Sequence, residues 1–220
     1  MRTLCSSSGF FQDHFDRVSA GEVDDKPIKL PEVHPQLFDL VIQCLVCKNL
    51  TLQPGLGKSK AISVLLDVIF VALKLGFPDP GKAVVNLIRT ILISNRGALR
   101  RTHVQKSFTL RRGHEIQKLF VKAAVQEYMK VSNDDDSVDE IPSSDEDPRD
   151  DAHLAFTQGL GFRFHGEVES NHAFKSMLRR EQDIILKSAV VVEVKRGSAK
   201  KPAITSRAYT DPLDGSKFFL

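Results

Sequence analysis

Tryptophan is absent from the 220-residue chain and tyrosine occurs only twice, which leaves the aromatic content to fourteen phenylalanines. There are three cysteines, an odd number with no secretory signal ahead of them. From these we expect a reducing compartment. Met1 to Phe15 lacks the apolar stretch of a signal or transit peptide. The longest apolar run, Ala61 to Leu75, is shorter than the ~20 residues of a bilayer span and is interrupted by Asp67. No internal repeat is visible. These absences lead us to expect a soluble intracellular protein, cytoplasmic and/or nuclear, without membrane contact.

Charge is present but divided. The chain as a whole carries +3. Ser132 to Asp151 holds ten acidic residues and one basic, a local charge of −9, so the rest carries +12. Pro142 and Pro148 interrupt this acidic stretch, which the composition predicts to be a disordered loop.

Apolar spacing organises what remains around residues 28–75. Ile28-Lys29-Leu30 alternates as a half-buried strand does, confined by Pro27 and Pro31. From Leu37 to Val46 only Asp39 and Gln43 are polar, so the spacing predicts a helix covered on most sides. Asn49 to Ser59 carries loop signals in Pro54, Gly55 and Gly57. Ala61 to Leu75 then sets Ile62, Leu65, Leu66, Ile69, Phe70 and Leu73 on one buried face, stopped by Gly76 and Phe77-Pro78. Upstream, Ser6 to Gly9 caps a short helix burying Phe11 and Phe15. Downstream, Asp79-Pro80 opens a helix burying Val84, Leu87, Ile88, Ile91 and Leu92. Further helices are expected over Leu99–Phe108, His114–Met129 and Glu167–Ala189. The last thirty residues read as a short apolar run and a frayed basic tail.

Motifs for chemistry are weak. Gly55-Leu56-Gly57-Lys58-Ser59 lacks the glycine that a phosphate loop needs at position 52, which is Leu52. Cys44 and Cys47 have CxxC spacing but sit at a helix C-terminal end, where nothing lowers a thiol pKa, and only Cys5 remains as a further cysteine ligand. Packed, reduced cysteines are the expectation. The seven histidines are scattered, and no Ser-His-Asp order is legible. We therefore expect no catalysis, no cofactor and no metal. Arg96 to Lys122 carries eight basic residues against Glu115 alone. Arg96, Arg100, Arg101, Lys106, Arg111 and Arg112 form a candidate basic face for nucleic acid or an acidic partner, set against an ordinary solvated surface. The absence of aromatic interleaving disfavours nucleic acid. Ser137, Ser143 and Ser144 each precede an acid by three residues and are candidate phosphosites. Lys195-Arg196 and Lys200-Lys201 form a weak import-like cluster or an exposed basic tail.

The order of elements resembles the BTB/POZ domain. Gly9 to Phe15 is similar to the family helix S-P-x-F-x-x-x-F, Ile28 to Glu32 to its strand, and Phe38 to Leu45 to its next helix. Gly113 to Val121, with Phe162-Arg163-Phe164, resembles extended tails of fungal members. The chain starts after the family's N-terminal β-hairpin. Val46-Cys47-Lys48 replaces the Y-T-G corner, and Val18-Ser19-Ala20 lacks the glutamate of cullin adaptors.

The resemblance implies an α+β, predominantly helical BTB/POZ-like domain, N-terminally truncated, with a helical C-terminal extension. Residues 1–95 would be the partial domain and 96–131 a helical extension. The acidic loop would fill 132–151, a helical segment 152–190 and a basic flexible tail 191–220. It implies a non-catalytic protein–protein interaction module, an adaptor or scaffold in ubiquitin ligation or transcriptional regulation. Partners would be proteins, including a cullin-type ligase scaffold or a second copy. Partner contacts are expected at Phe11, Phe15 and Val18 and at the corner formed by Val46, Cys47 and Leu50. The alternative is a nucleic-acid-associated protein using the basic face 96–122.

Overall fold

The computed structural model describes residues 8–21, 28, 30, 32–47, 50–77, 80–135, 162–194 and 204–219. The chain divides into two compact units, Met1–Ser107 and Phe108–Leu220. Among the described residues it is predominantly helical, with one small sheet.

The first unit holds α1 (Gly9–Ser19), α2 (Pro35–Cys47), α3 (Lys58–Lys74), α4 (Gly81–Ser94), a 3-10 turn (Arg96–Ala98) and α5 (Arg101–Ser107). Helix α3 is its centre. Ala61, Ile62, Leu65, Leu66, Val68, Ile69, Val71 and Ala72 are all buried, more than half a turn in every turn, and α2, α4, α5 and the 3-10 turn pack around it. Truncating a side chain such as Leu65 to alanine would cost about 2–5 kcal/mol. Leu73, expected on the buried face, is 43% exposed, because that last turn is covered from one side only.

Helix α2 starts with Pro35 at its first position, where the missing N–H costs nothing. The His34 carbonyl accepts from Leu37 and Phe38, and the His34 ring Nδ1 accepts from Gln36 N–H at 3.3 Å. It packs beside α3 within the same unit. Among its described side chains only Val41 and Cys44 are buried, and Val46 is 60% exposed, so the near-complete cover expected for this helix is not found there. A helix on the margin of a unit keeps one wet side even when its sequence is apolar. Of the strand expected at Ile28–Leu30, Ile28 and Leu30 are irregular, and Lys29 lies outside the described residues. Just downstream, Glu32 pairs with Lys74, whose hydrogen bond and charge lower the Glu32 carboxyl pKa.

Gly76 ends α3. Its N–H donates to the Leu73 carbonyl at 3.0 Å, and Phe77 N–H reaches back to Ala72 at 2.9 Å. This paired capping needs a left-handed residue, and Gly76 has φ +67°. Against this corner sits the start of α1. Ser8 Oγ accepts from Phe11 N–H as the N-cap and donates to the Leu75 carbonyl. The Phe11 ring lies 5.8 Å from Phe77 and 6.3 Å from Phe38. Asp79, read as the cap of α4, lies outside the described residues; Pro80 occupies the cap position.

The second unit holds α6 (Glu115–Asp135), α7 (His165–Ser170), α8 (His172–Lys187), β1 (Val190–Val194), β2 (Ile204–Thr210) and β3 (Lys217–Phe219). Helix α6 buries Ile116, Leu119, Phe120, Ala123 and Ala124, as its spacing predicts, and packs on α8. A chain of rings forms the core. Tyr128 meets Phe162 at 5.2 Å, Phe162 meets Phe164 at 5.5 Å, Phe164 meets Phe174 at 6.3 Å, and Phe174 meets Phe108 at 5.5 Å. Glu127 braces it, accepting from Arg163 N–H at 3.0 Å and from Arg163 Nη2 at 2.9 Å. The single helix expected from Glu167 breaks at Asn171, whose side chain accepts from Phe174 N–H and starts α8 anew.

The tail expected to fray contains an antiparallel meander in the order β1-β2-β3. Val190 pairs with Ala208, Ala208 with Phe219, and Tyr209 with Phe218, whose rings lie 5.6 Å apart. Tyr209 and Phe218 are buried, which gives the sheet an apolar side and a reason to form. At the turn, Asp211 Oδ1 accepts from Leu213 N–H at 2.7 Å, and Gly215 takes φ +79°. Of the acidic stretch, residues 132–135 complete α6; Ser137, Ser143, Ser144 and the rest of 136–151 lie outside the described residues.

Candidate partner-binding groove

A groove of about 430 Å³ runs between α2, the 50–57 loop and α3. Leu37 and Leu40 from α2, Leu52 and Leu56 from the loop, and Val64 from α3 form its apolar floor. All five are half-buried, as groove walls must be. The rim carries Gln36, Asp39, Gln43, Thr51, Gln53 and Lys60. The loop holds its shape through Leu56 N–H donating to the Gln53 carbonyl and through Gly55 at φ +81°. Charge on the rim is balanced. Asp39 and Lys60 carry opposite charges, and Asp67 is paired with Lys106, whose ammonium also lies 5.2 Å from the Phe70 ring.

The residues singled out from the sequence fall in different places. Phe11 is 5% exposed and belongs to the core, while Phe15 and Val18 are half-buried on α1. Burial of Phe11 follows from the aromatic contacts above, and it leaves Phe10, 41% exposed, as the surface ring of that helix. Val46 is exposed at the end of α2, Leu50 is half-buried where the groove loop begins, and the Cys47 side chain is outside the described set. The basic residues divide between the units. Arg96, Arg100, Arg101 and Lys106 lie in the first, Arg111 and Arg112 in the second. Arg100, Arg101, Arg111 and Arg112 are exposed, Arg96 is half-buried, and Lys106 is engaged as described.

One serine–histidine pair is present that sequence spacing did not reveal, since its members are forty residues apart. Ser63 Oγ and His103 Nε2 are 2.8 Å apart. The Arg100 N–H donates to His103 Nδ1 at 3.1 Å, so the neutral ring carries its proton on Nε2 and donates it to Ser63. Ser63 in turn donates to the Ser59 carbonyl at 3.4 Å. A general base would need the opposite tautomer, accepting from the serine. Burial first, then the charges of Arg100 and Lys106, pull the His103 pKa down to about 4. The pair is a structural tie between α3 and α5.

Cys44 is buried, and burial pushes its thiol pKa up to about 11, the reverse of a redox-active cysteine. Lys58 and Ser59 open α3 after Gly57 and form its first turn. No group of histidine, cysteine and acidic residues suited to a metal ion occurs among the described residues. No described helix is long and apolar enough to cross a membrane. Leu52 and Leu56 inside a loop that the sequence presents as a solvated turn were the signal that could have pointed to the groove, because a purely solvated loop has no use for them. Searches against protein-family models, curated proteins and solved structures returned no match to the chain.

Proposed function

We propose that the chain is a non-catalytic protein-interaction module, and that its N-terminal unit holds a peptide segment of a partner protein in the groove between α2 and α3. The observation that carries this is the groove's composition: an aliphatic floor with a rim of glutamine amides and no net charge. Side-chain amides both donate and accept, which suits a peptide backbone. The floor suits two or three aliphatic anchors, and the balanced rim favours a segment of little net charge. Its volume lies within the ~300–1,000 Å³ of ligand sites. An adaptor or scaffold role of the BTB/POZ kind, in ubiquitin ligation or transcriptional regulation, fits such a module, with a cullin-type scaffold as one such partner. The irregular backbone at Ile28 and Leu30 leaves the groove, and not that resemblance, as the main support.

Selection of a random peptide library on the full chain tests this, with counter-selection on Leu56→Lys. Enriched peptides should carry aliphatic pairs at helical or strand spacing, lose binding to Leu56→Lys and Gln43→Arg, and keep their affinity as salt rises. Peptides that bind both variants unchanged would refute the groove. Selection of strongly acidic peptides or nucleic acid with steep salt dependence would favour the basic residues instead.

A further inference from the structure

We propose that the groove takes an amphipathic helix of the partner protein and fixes its direction, with Asp39 on one wall and Lys60 on the other reading the two flanks of that helix. This deepens the reading of the groove as a peptide site and rests on it. The walls set the shape of the occupant. On α2 the lining runs from Gln36 to Gln43 and on α3 from Lys60 to Asp67, two turns each and about 10 Å long at the helical rise. Lys60, Val64 and Asp67 follow one another at steps of four and three, the rows against which a third helix sets its own side chains. A helix laid there turns one aliphatic stripe to the floor and one flank to each wall.

The charges on those walls differ in what they already hold. Asp67 is engaged by Lys106. Asp39 and Lys60 are both exposed, and neither side chain makes a hydrogen bond or ion pair among the described residues, with the other or with any third group. One wall thus keeps an unengaged negative charge and the facing wall an unengaged positive one. A helix turned end for end in the groove keeps its stripe on the floor but exchanges the flanks that meet the walls. An aliphatic floor alone cannot tell the two directions apart. Opposite charges on the walls can, attracting both flanks in one direction and repelling both in the other. Each exposed attraction is weak, so affinity rests on the floor while the charges choose the direction. The occupant is a helix with a basic flank toward α2 and an acidic flank toward α3, which carries little net charge, as the balanced rim requires.

Synthetic helical peptides with one leucine stripe and a photo-crosslinker at the N-terminus test this on the full chain. One peptide carries lysines on the left flank and glutamates on the right, and a second has the flanks exchanged. Both should bind, and their crosslinks should fall at opposite ends of the groove, one near Gln36 and the other near Gln43. In the double variant Asp39→Lys with Lys60→Asp the two crosslinking positions should trade places at unchanged affinity; both residues are exposed, so the variant keeps its fold. Peptides with lysine on both flanks, or glutamate on both, should bind the wild-type chain at least ~threefold more weakly at low salt, a margin that closes as salt rises. Peptides that require Leu56 but whose crosslinks do not move when the wall charges are exchanged overturn the directional reading and leave the groove standing. Peptides that fail to bind, or that bind Leu56→Lys as well as the wild-type chain, overturn the groove and this inference together.

Discussion

Replacing Gly76 by alanine strains the chain twice, and the two costs can be read separately. At φ +67° an L-residue sets its Cβ against its own carbonyl, a cost of about 1–2 kcal/mol. The new Cβ would also lie 3.3 Å from the Phe10 nitrogen and 3.4 Å from the Gly9 nitrogen, both backbone atoms that cannot swing aside. Forcing that approach adds about 1–3 kcal/mol, as overpacking does elsewhere. Gly55 supplies the control in the same unit. Its φ is +81°, and nothing lies within 4 Å of its added Cβ, so Gly55→Ala should show only the backbone cost. Urea unfolding followed by far-ultraviolet circular dichroism measures both, there being no tryptophan to report. We expect Gly76→Ala to lose about 2–5 kcal/mol and Gly55→Ala about 1–2 kcal/mol. Gly76→Asn, which tolerates a left-handed backbone better, should recover the first cost and keep the second. If Gly76→Ala loses no more than Gly55→Ala, the close packing of the α1 start on the α3 corner is wrong.

Three other outcomes follow from the described contacts. Because the pKa of His103 falls from 6.5 unfolded to about 4 folded, the unfolded chain binds an extra proton between those values. Stability should therefore be full above pH 6.5 and decline as pH falls toward 4, by up to about 3 kcal/mol. His103→Gln should flatten that slope, and an unchanged pH profile would show that the Ser63 tie does not depend on the neutral ring. Cys44 should resist alkylation, read residue by residue by mass spectrometry, until denaturant is added; rapid labelling of the native chain would contradict its burial. Glu127→Ala removes both bonds to Arg163 and should cost the second unit about 1–3 kcal/mol in urea unfolding, with Glu127→Gln intermediate; equal stability of all three would show the brace to be idle.

Long apolar periodicities were legible and short ones were not. Helices α3, α4 and α6 follow the spacing of their aliphatic residues, because burial on one face imposes that spacing whatever the neighbours are. The alternation at Ile28–Leu30 was too brief to distinguish a strand from chance. In the tail, basic residues and Pro and Gly masked a β signal carried by Val190–Val194 and by Tyr209, whose partner Phe218 becomes visible only once the register is known. Asn171 read as one polar position within a helix; its capping role depends on a backbone turn that spacing does not encode. The groove was not legible: the corner singled out at Val46–Leu50 does not line it, and its floor is made of half-buried positions, which periodicity assigns to neither inside nor outside.

Lys106 shows how a charge tally can mislead. Between the Asp67 carboxylate and the Phe70 ring its half-exposed ammonium ties α5 to α3. Acetylation there would erase the attraction to both partners at one stroke, leave the Asp67 carboxylate without its cation, and loosen two helices. A change that reads on paper as one lost surface charge would be felt first as a softening of the first unit.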